Sequence, residues 1–158
     1  MAIPKKIIKF LEKAKVKHEP IEHKTVYTAY DKAATLKVNP KVVGKTLVLR
    51  TDKKIVLALI PANKNLDLNK FKKIAKTKKA GFISEREMKN KFKGVKIGAL
   101  PPLGTLWGLP TFIDKALLKE SKIIINGGDY NWSIKISPSN FKKLIPDLVI
   151  GNFSKAKK

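Results

Sequence analysis

Two apolar runs, VVGKTLVLR and KIVLALIP, follow one another between Val42 and Pro61, separated by little more than TDKK. Each has strand length, aliphatic and β-branched side chains, and no helical spacing, and the short link makes them an antiparallel hairpin. So apolar a pair must lie inside a sheet covered by other elements. The flanking sequence supplies them. Ile3 to about Ala14 reads as a helix, with Pro4 in its first turn and Ile7, Ile8 and Leu11 as its apolar stripe. VKHEPIEH reads as a short extended piece. Thr28 is placed to cap a second helix that carries Asp31 in its first turn and stops at about Leu36, before Asn39-Pro40. Asp67 caps a helix bearing Leu68, Phe71 and Ile74, and Ser84 with Glu87 forms a capping box for a short helix to about Phe92. VKIGALPPLGTLWGLP holds too much glycine and proline for a long helix or a regular central strand. TFIDKAL, SKIIINGG, WSIKI and LVIG supply further strands, and Ser137-Pro138 opens a last helix. The sum predicts one α+β domain over residues 1–158, a mixed, mostly antiparallel sheet with flanking helices. Residues 153–158 read as a flexible basic tail.

The formal net charge is +23, from 35 Lys plus Arg against 12 Asp plus Glu. Such a surface attracts polyanions by long-range field and counterion release. Only Arg50 and Arg86 are arginines, which argues against base-edge reading by the planar guanidinium fork. There is no cysteine, so disulfides and thiolate chemistry are excluded. His18 and His23, five apart, do not form a zinc-binding pair, and neither metal nor cofactor is expected. No run approaches the roughly 20 apolar residues a membrane span needs, and the start is too quickly charged for an export signal. A cytoplasmic monomer without membrane association is the expectation.

Gly44-Lys45-Thr46 copies the end of a phosphate-binding loop. The rest of that motif is missing: Asn39 stands where the first glycine belongs, and the following LVLR is a strand rather than a helix. Lys45 is therefore a lysine inside an apolar strand. Either it faces outward at a sheet edge, or it reaches into a cleft to bind phosphate or polarise a carbonyl.

Four segments, taken in order, give the chain a resemblance to a known family. They are EHKTVYTAYDKAATLKVNPKVVGKTLVL, IVLALIPANKNLDLNKF, GALPPLG ahead of TFIDKAL, and IIINGGDYNWSIKIS. Together they resemble the YbaK/ProX family of aminoacyl-tRNA deacylases, also found as the editing insertion of bacterial prolyl-tRNA synthetases. The resemblance implies a curved sheet and hydrolysis of the ester joining a small amino acid to a mischarged tRNA, with Cys-tRNAPro and Ala-tRNAPro as the substrates to consider. Mischarged tRNA is the implied partner, with an aminoacyl-tRNA synthetase as a further one. The family's essential lysine falls on Lys45 and its carbonyl-recognising loop glycine on Gly98. Its late-turn positions fall on Gly127, Gly128 and Ser133, and its pocket-bordering positions on Thr25, Val26 and Tyr27. His23 lies beside that segment. GALPPLG lacks the glycine pair or serine that many relatives carry before the proline, and NGGDYNW is bulkier and more acidic than in the simplest relatives.

Glycine backbone can meet an ester oxyanion without side-chain obstruction, which makes Gly98, Gly127 and Gly128 candidates; ordinary turn geometry explains them equally. Lys45 can neutralise a phosphate, orient the ribose, stabilise the oxyanion or activate water, and sequence does not choose. Asp114 either accepts backbone N–H bonds or touches substrate. Asp129 reads as a turn acid. Trp107 and Trp132 either stack on a base or pack as hydrophobes, and Tyr27 and Tyr30 line a pocket or its rim. The alternative function is a non-catalytic RNA-binding module on the same fold.

Overall fold

The computed structural model describes residues 3–157. The predicted hairpin is its centre: β2 (Gly44–Thr51) and β3 (Ile55–Pro61) pair antiparallel, with Lys45 opposite Ile60 and Arg50 opposite Ile55. β3 lies between β2 and β6 (Thr111–Asp114), and the sheet is completed by β5 (Ala80–Phe82) beside β2 and β9 (Val149–Gly151) beside β6. β3, β6 and β9 run parallel to one another, so the sheet is mixed. A second, antiparallel sheet has the order β1 (His18–Glu22), β8 (Trp132–Ile136), β7 (Ile123–Asp129). A bridge between Val43 and Ile124 ties it to the start of β2.

The helices start where the caps predict. α1 is Lys5–Lys13, α2 is Ala29–Leu36, α3 is Leu68–Ala75 and α4 is Glu85–Lys91. Thr28, Asp67 and Ser84 each accept a hydrogen bond from the N–H three residues on, which satisfies one orphan donor per helix. Helices α1, α2 and α3 end alike. The N–H groups of Lys15 and Val16, Lys37 and Val38, and Lys76 and Thr77 turn back onto the last carbonyls, with Lys15, Lys37 and Lys76 all at φ 56°. This left-handed closing position usually goes to glycine. Two short helices, α5 (Lys115–Leu118) and α6 (Phe141–Leu144), complete the set.

Burial explains why KIVLALIP is apolar throughout. Leu59 enters a cluster with α1, β7, β8 and α6, through Ile7, Leu11, Ile125, Ile134 and Phe141. Val56, Ala58 and Ile60 enter a second cluster with Phe71, Phe112 and Phe153. A strand covered on both faces has no polar side to show.

Three strands were not foreseen, β4 (Lys64–Leu66), β5, and β10 (Ser154–Ala156), nor was the short helix α5 within TFIDKAL. The last of these strands corrects the flexible-tail expectation. β10 pairs antiparallel with β4, and Phe153 is fully buried, edge-on to Phe71 at 5.6 Å between ring centroids. The aromatic anchor holds the basic segment down; Lys158 lies outside the described residues. Phe153→Ala is expected to lower the unfolding free energy by about 3–5 kcal/mol in urea titration. A change within about 0.5 kcal/mol, the range of exposed substitutions, would mean that this end is not docked.

Candidate functional site

The GKT tripeptide forms no phosphate loop. Gly44 is buried in β2, and an added Cβ would come within 2.8 Å of the Leu59 side chain, so the glycine serves strand packing. Lys45 is half-buried and lines a cavity of about 380 Å³ with Tyr27, Thr28, Tyr30, Thr46, Gly98, Asn126 and Lys157 among its walls. No carboxylate lines this cavity among the described residues. Burial holds the Lys45 ammonium below its usual pKa of 10.5, and the like charge of Lys157 lowers it further. Lys157 comes from the end of β10, its Nζ 4.9 Å from the centroid of the Tyr30 ring. Tyr27 and Tyr30 are 68% and 54% exposed, so they form a rim rather than a floor.

Gly98 sits on this cavity at φ 86°, a conformation that selects glycine. Its carbonyl accepts a bond from Asn126, while no hydrogen bond takes up its N–H among the described residues. The segment carrying it is pinned from behind: the Gly128 N–H donates to the Ala99 carbonyl at 2.8 Å, and the Lys96 N–H donates to the Gly128 carbonyl at 3.1 Å. Gly127 and Gly128 themselves do not line the cavity. A Cβ on Gly128 would strike Pro4 and Ile7, and one on Gly127 would strike the Trp132 backbone. In this structure the two glycines let α1 and β8 approach.

The other expected positions divide. Tyr27 is at the cavity. Thr25 is exposed and Val26 is buried, its N–H donating to the Tyr130 carbonyl; neither lines the cavity. His23 Nε2 lies 2.8 Å from Ser133 Oγ, and its Nδ1 lies 2.8 Å from the Lys24 carbonyl. Because a carbonyl only accepts, Nδ1 is the donor to Lys24, and Nε2 shares the second bond with the serine hydroxyl. Ser133 is fully buried, so this pair joins the β1–β8 edge to the next turn and does not present a nucleophile. Asp114 is 1% exposed; it accepts from the N–H groups of Ala116 and Phe153 and stands away from the cavity. Its role is to cap α5 and hold the approach to β10. Asp129 accepts from the Tyr130 N–H, as a turn acid does. His18 Nδ1 meets the Val16 carbonyl. Trp107 packs edge-on to Phe92 with Lys6 Nζ above it, and Trp132 packs on the main core, so neither lines the cavity.

Two residues at the site have no counterpart in the sequence reading. Lys32, on α2, is 5% exposed and donates to Asn126 Oδ1 at 2.7 Å. Asn126 lines the cavity, and its Nδ2 donates to the carbonyls of Gly98 and Leu100 at 3.3 and 3.1 Å. Burial lowers the Lys32 pKa from 10.5 to about 8. The folded-state pKa is thus below the unfolded one, and between the two values the unfolded chain binds more protons. Stability therefore rises as pH climbs from about 8 to about 10.5, and the cost of the buried charge is fully present below that window. Lys32→Met is expected to reduce the stability gained between pH 7 and pH 10.5 by about 3 kcal/mol, read from urea unfolding of both proteins at each pH.

Comparison with known proteins agrees with this architecture. Residues 23–144 match the aminoacyl-tRNA editing domain. The structure of the hypothetical protein APE2540 superposes with a TM-score of 0.86 at 21% identity, covering 95% of this chain and 99% of that one. A candidate trans-editing enzyme for prolyl tRNA synthetase superposes with a TM-score of 0.81 at 21% identity, covering 96% of each chain. At such identities the two structures establish a shared fold. The matched segment takes in α2, the Lys45 strand, the Gly98 loop and Asn126, which build the cavity together with Lys157 from beyond it. By that match the chain belongs to the aminoacyl-tRNA editing domain family.

Proposed function

We propose that this protein is an aminoacyl-tRNA deacylase acting in trans on mischarged tRNA. One observation carries the reading: a half-buried ammonium, Lys45, and Gly98, whose N–H no hydrogen bond takes up among the described residues, border one cavity with no carboxylate among its described lining residues. Such a cavity favours negative charge. In ester hydrolysis, water oxygen attacks the carbonyl carbon and the carbonyl oxygen becomes negative. The bond from that carbon to the ribose oxygen then breaks, and the proton given up by the attacking water balances the one the ribose oxygen takes up. The Gly98 N–H is a preorganised donor for the oxyanion, and Lys45 stabilises the anionic substrate at the same place. Tyr27 and Tyr30 offer aromatic faces at the rim. A volume of about 380 Å³ lies at the low end for ligand sites and suits a small aminoacyl group on one ribose. The charge of +23 holds the tRNA body through its phosphates, which positions the ligand without reading its sequence.

The family resemblance makes Cys-tRNAPro and Ala-tRNAPro the first substrates to try, and the fold shared with a protein described as a trans-editing enzyme for prolyl tRNA synthetase supports starting with that tRNA. The test is a panel of aminoacyl-tRNAs that includes both, scored by release of free amino acid in single turnover. Lys45→Ala is expected to slow release by about 10²–10³-fold, the usual effect of losing one oxyanion-stabilising group, with tRNA affinity within a few-fold of wild type. A variant that cleaves at the wild-type rate would remove Lys45 from the chemistry; a wild type that binds tRNA and releases nothing would favour the RNA-binding alternative. A second prediction concerns pH. If protonated Lys45 is the active form, enzymatic release falls as pH rises through its depressed pKa. Lys157→Ala removes a like charge and is expected to move that fall to higher pH, after subtraction of spontaneous hydrolysis.

A further inference from the structure

Asn126 is held by three neighbours, and each has only one hydrogen-bonding sense. The Lys32 ammonium can only donate; the Gly98 and Leu100 carbonyls can only accept. The amide therefore fits one way round. Turned over, its NH₂ would face the ammonium and its oxygen would face two carbonyls. Without Lys32, the oxygen would lose its partner and the amide would be tethered on its NH₂ side alone.

Position in the fold gives this lock a purpose. Asn126 lies on β7 at the start of the irregularity that runs to Asp129, where the β7–β8 register shifts. It joins α2 to the 98–100 segment across separations of 94, 28 and 26 residues. The two carbonyls it holds flank Ala99, whose own carbonyl is taken by Gly128. A buried ammonium with one protein hydrogen bond is an expensive way to fill space. Fixing the geometry of a neighbour is one return that offsets that cost.

We propose that Lys32 is a positioning residue of the editing site. By fixing the Asn126 amide it holds the backbone at Gly98, and so the Gly98 N–H, at the cavity that Lys45 also lines. The proposal rests on the deacylase reading for its kinetic consequence, but its structural content is independent of it.

The experiment therefore has two arms. In the first, amide hydrogen exchange is followed by NMR without substrate in the wild type, Lys32→Met, Lys32→Arg and Asn126→Ala. Exchange at Gly128 and Lys96, whose N–H groups bridge to the loop, is expected to quicken by about tenfold in Lys32→Met and Asn126→Ala and to be largely restored in Lys32→Arg. In the second, deacylation by Lys32→Met is expected to lose about tenfold in kcat with KM within twofold, because a reacting group is misplaced and no substrate contact is lost. Lys32→Arg is expected to recover most of it. In the Asn126→Ala background, Lys32→Met is expected to add no further loss, since it acts through that amide. Unchanged exchange in Lys32→Met, or kinetic losses that simply add in the double variant, would overturn the proposal. Should Lys32→Met not fold, Asn126→Ala decides alone by the exchange at Gly128 and Lys96. A wild type that releases no amino acid from any aminoacyl-tRNA removes the deacylase reading, and the exchange arm still decides whether Lys32 holds the loop.

Discussion

The pairing of β2 with β3 sets the geometry of everything around it. β3 is covered on both faces, so its register with β2 cannot slip without driving buried side chains out of two clusters at once. The register puts Gly44 against Pro61 and lets the Leu59 side chain fill the space a Cβ would need. The next residue is then committed to the cavity wall. Lys45 owes its half-buried setting to the packing of its neighbours, and no loop is required to present it.

Around that fixed lysine the cavity is assembled from distant parts of the chain. The Thr28–Tyr30 turn opens α2, Gly98 comes from the glycine- and proline-rich loop, Asn126 from β7 and Lys157 from the end of β10. The supporting contacts are mostly backbone bonds and polar side chains seated behind the walls. Gly128 ties the loop to β7, and Asp114 reaches from β6 to the Phe153 N–H. Gly128 and Asp114 thus take part in the scaffold behind the cavity walls.

The sequence was most readable where one local interaction decides the outcome. The hairpin follows from two runs and a four-residue link. Thr28, Asp67 and Ser84 mark helix starts because a cap acts within three residues. Lys45 could be separated from a phosphate loop because a strand follows it. The failures are all non-local. KNL, AGF and SKA are too short to announce strands, KNL and SKA are polar besides, and all three become strands only through pairing. In AYDKAATL, Lys32 looks like an ordinary solvated lysine, since nothing nearby reveals an acceptor 94 residues away. Gly127 and Gly128 looked like substrate positions because glycine is ambiguous until the atoms filling the missing Cβ are known. In Gly128's case those belong to Pro4 and Ile7, at the far end of the chain.

The three helix ends closed by lysine carry a separate meaning. Lys15, Lys37 and Lys76 occupy a backbone conformation that disfavours every residue with a Cβ. A chain that accepts lysine there has been enriched in that residue beyond what local conformation rewards, so its positive charge is partly a trait of the whole surface rather than the sum of individual ligand contacts. Glycine at these three helix ends would dilute the charge and relax the backbone together. That gives a means of varying electrostatic attraction for nucleic acid while leaving the cavity walls as they are.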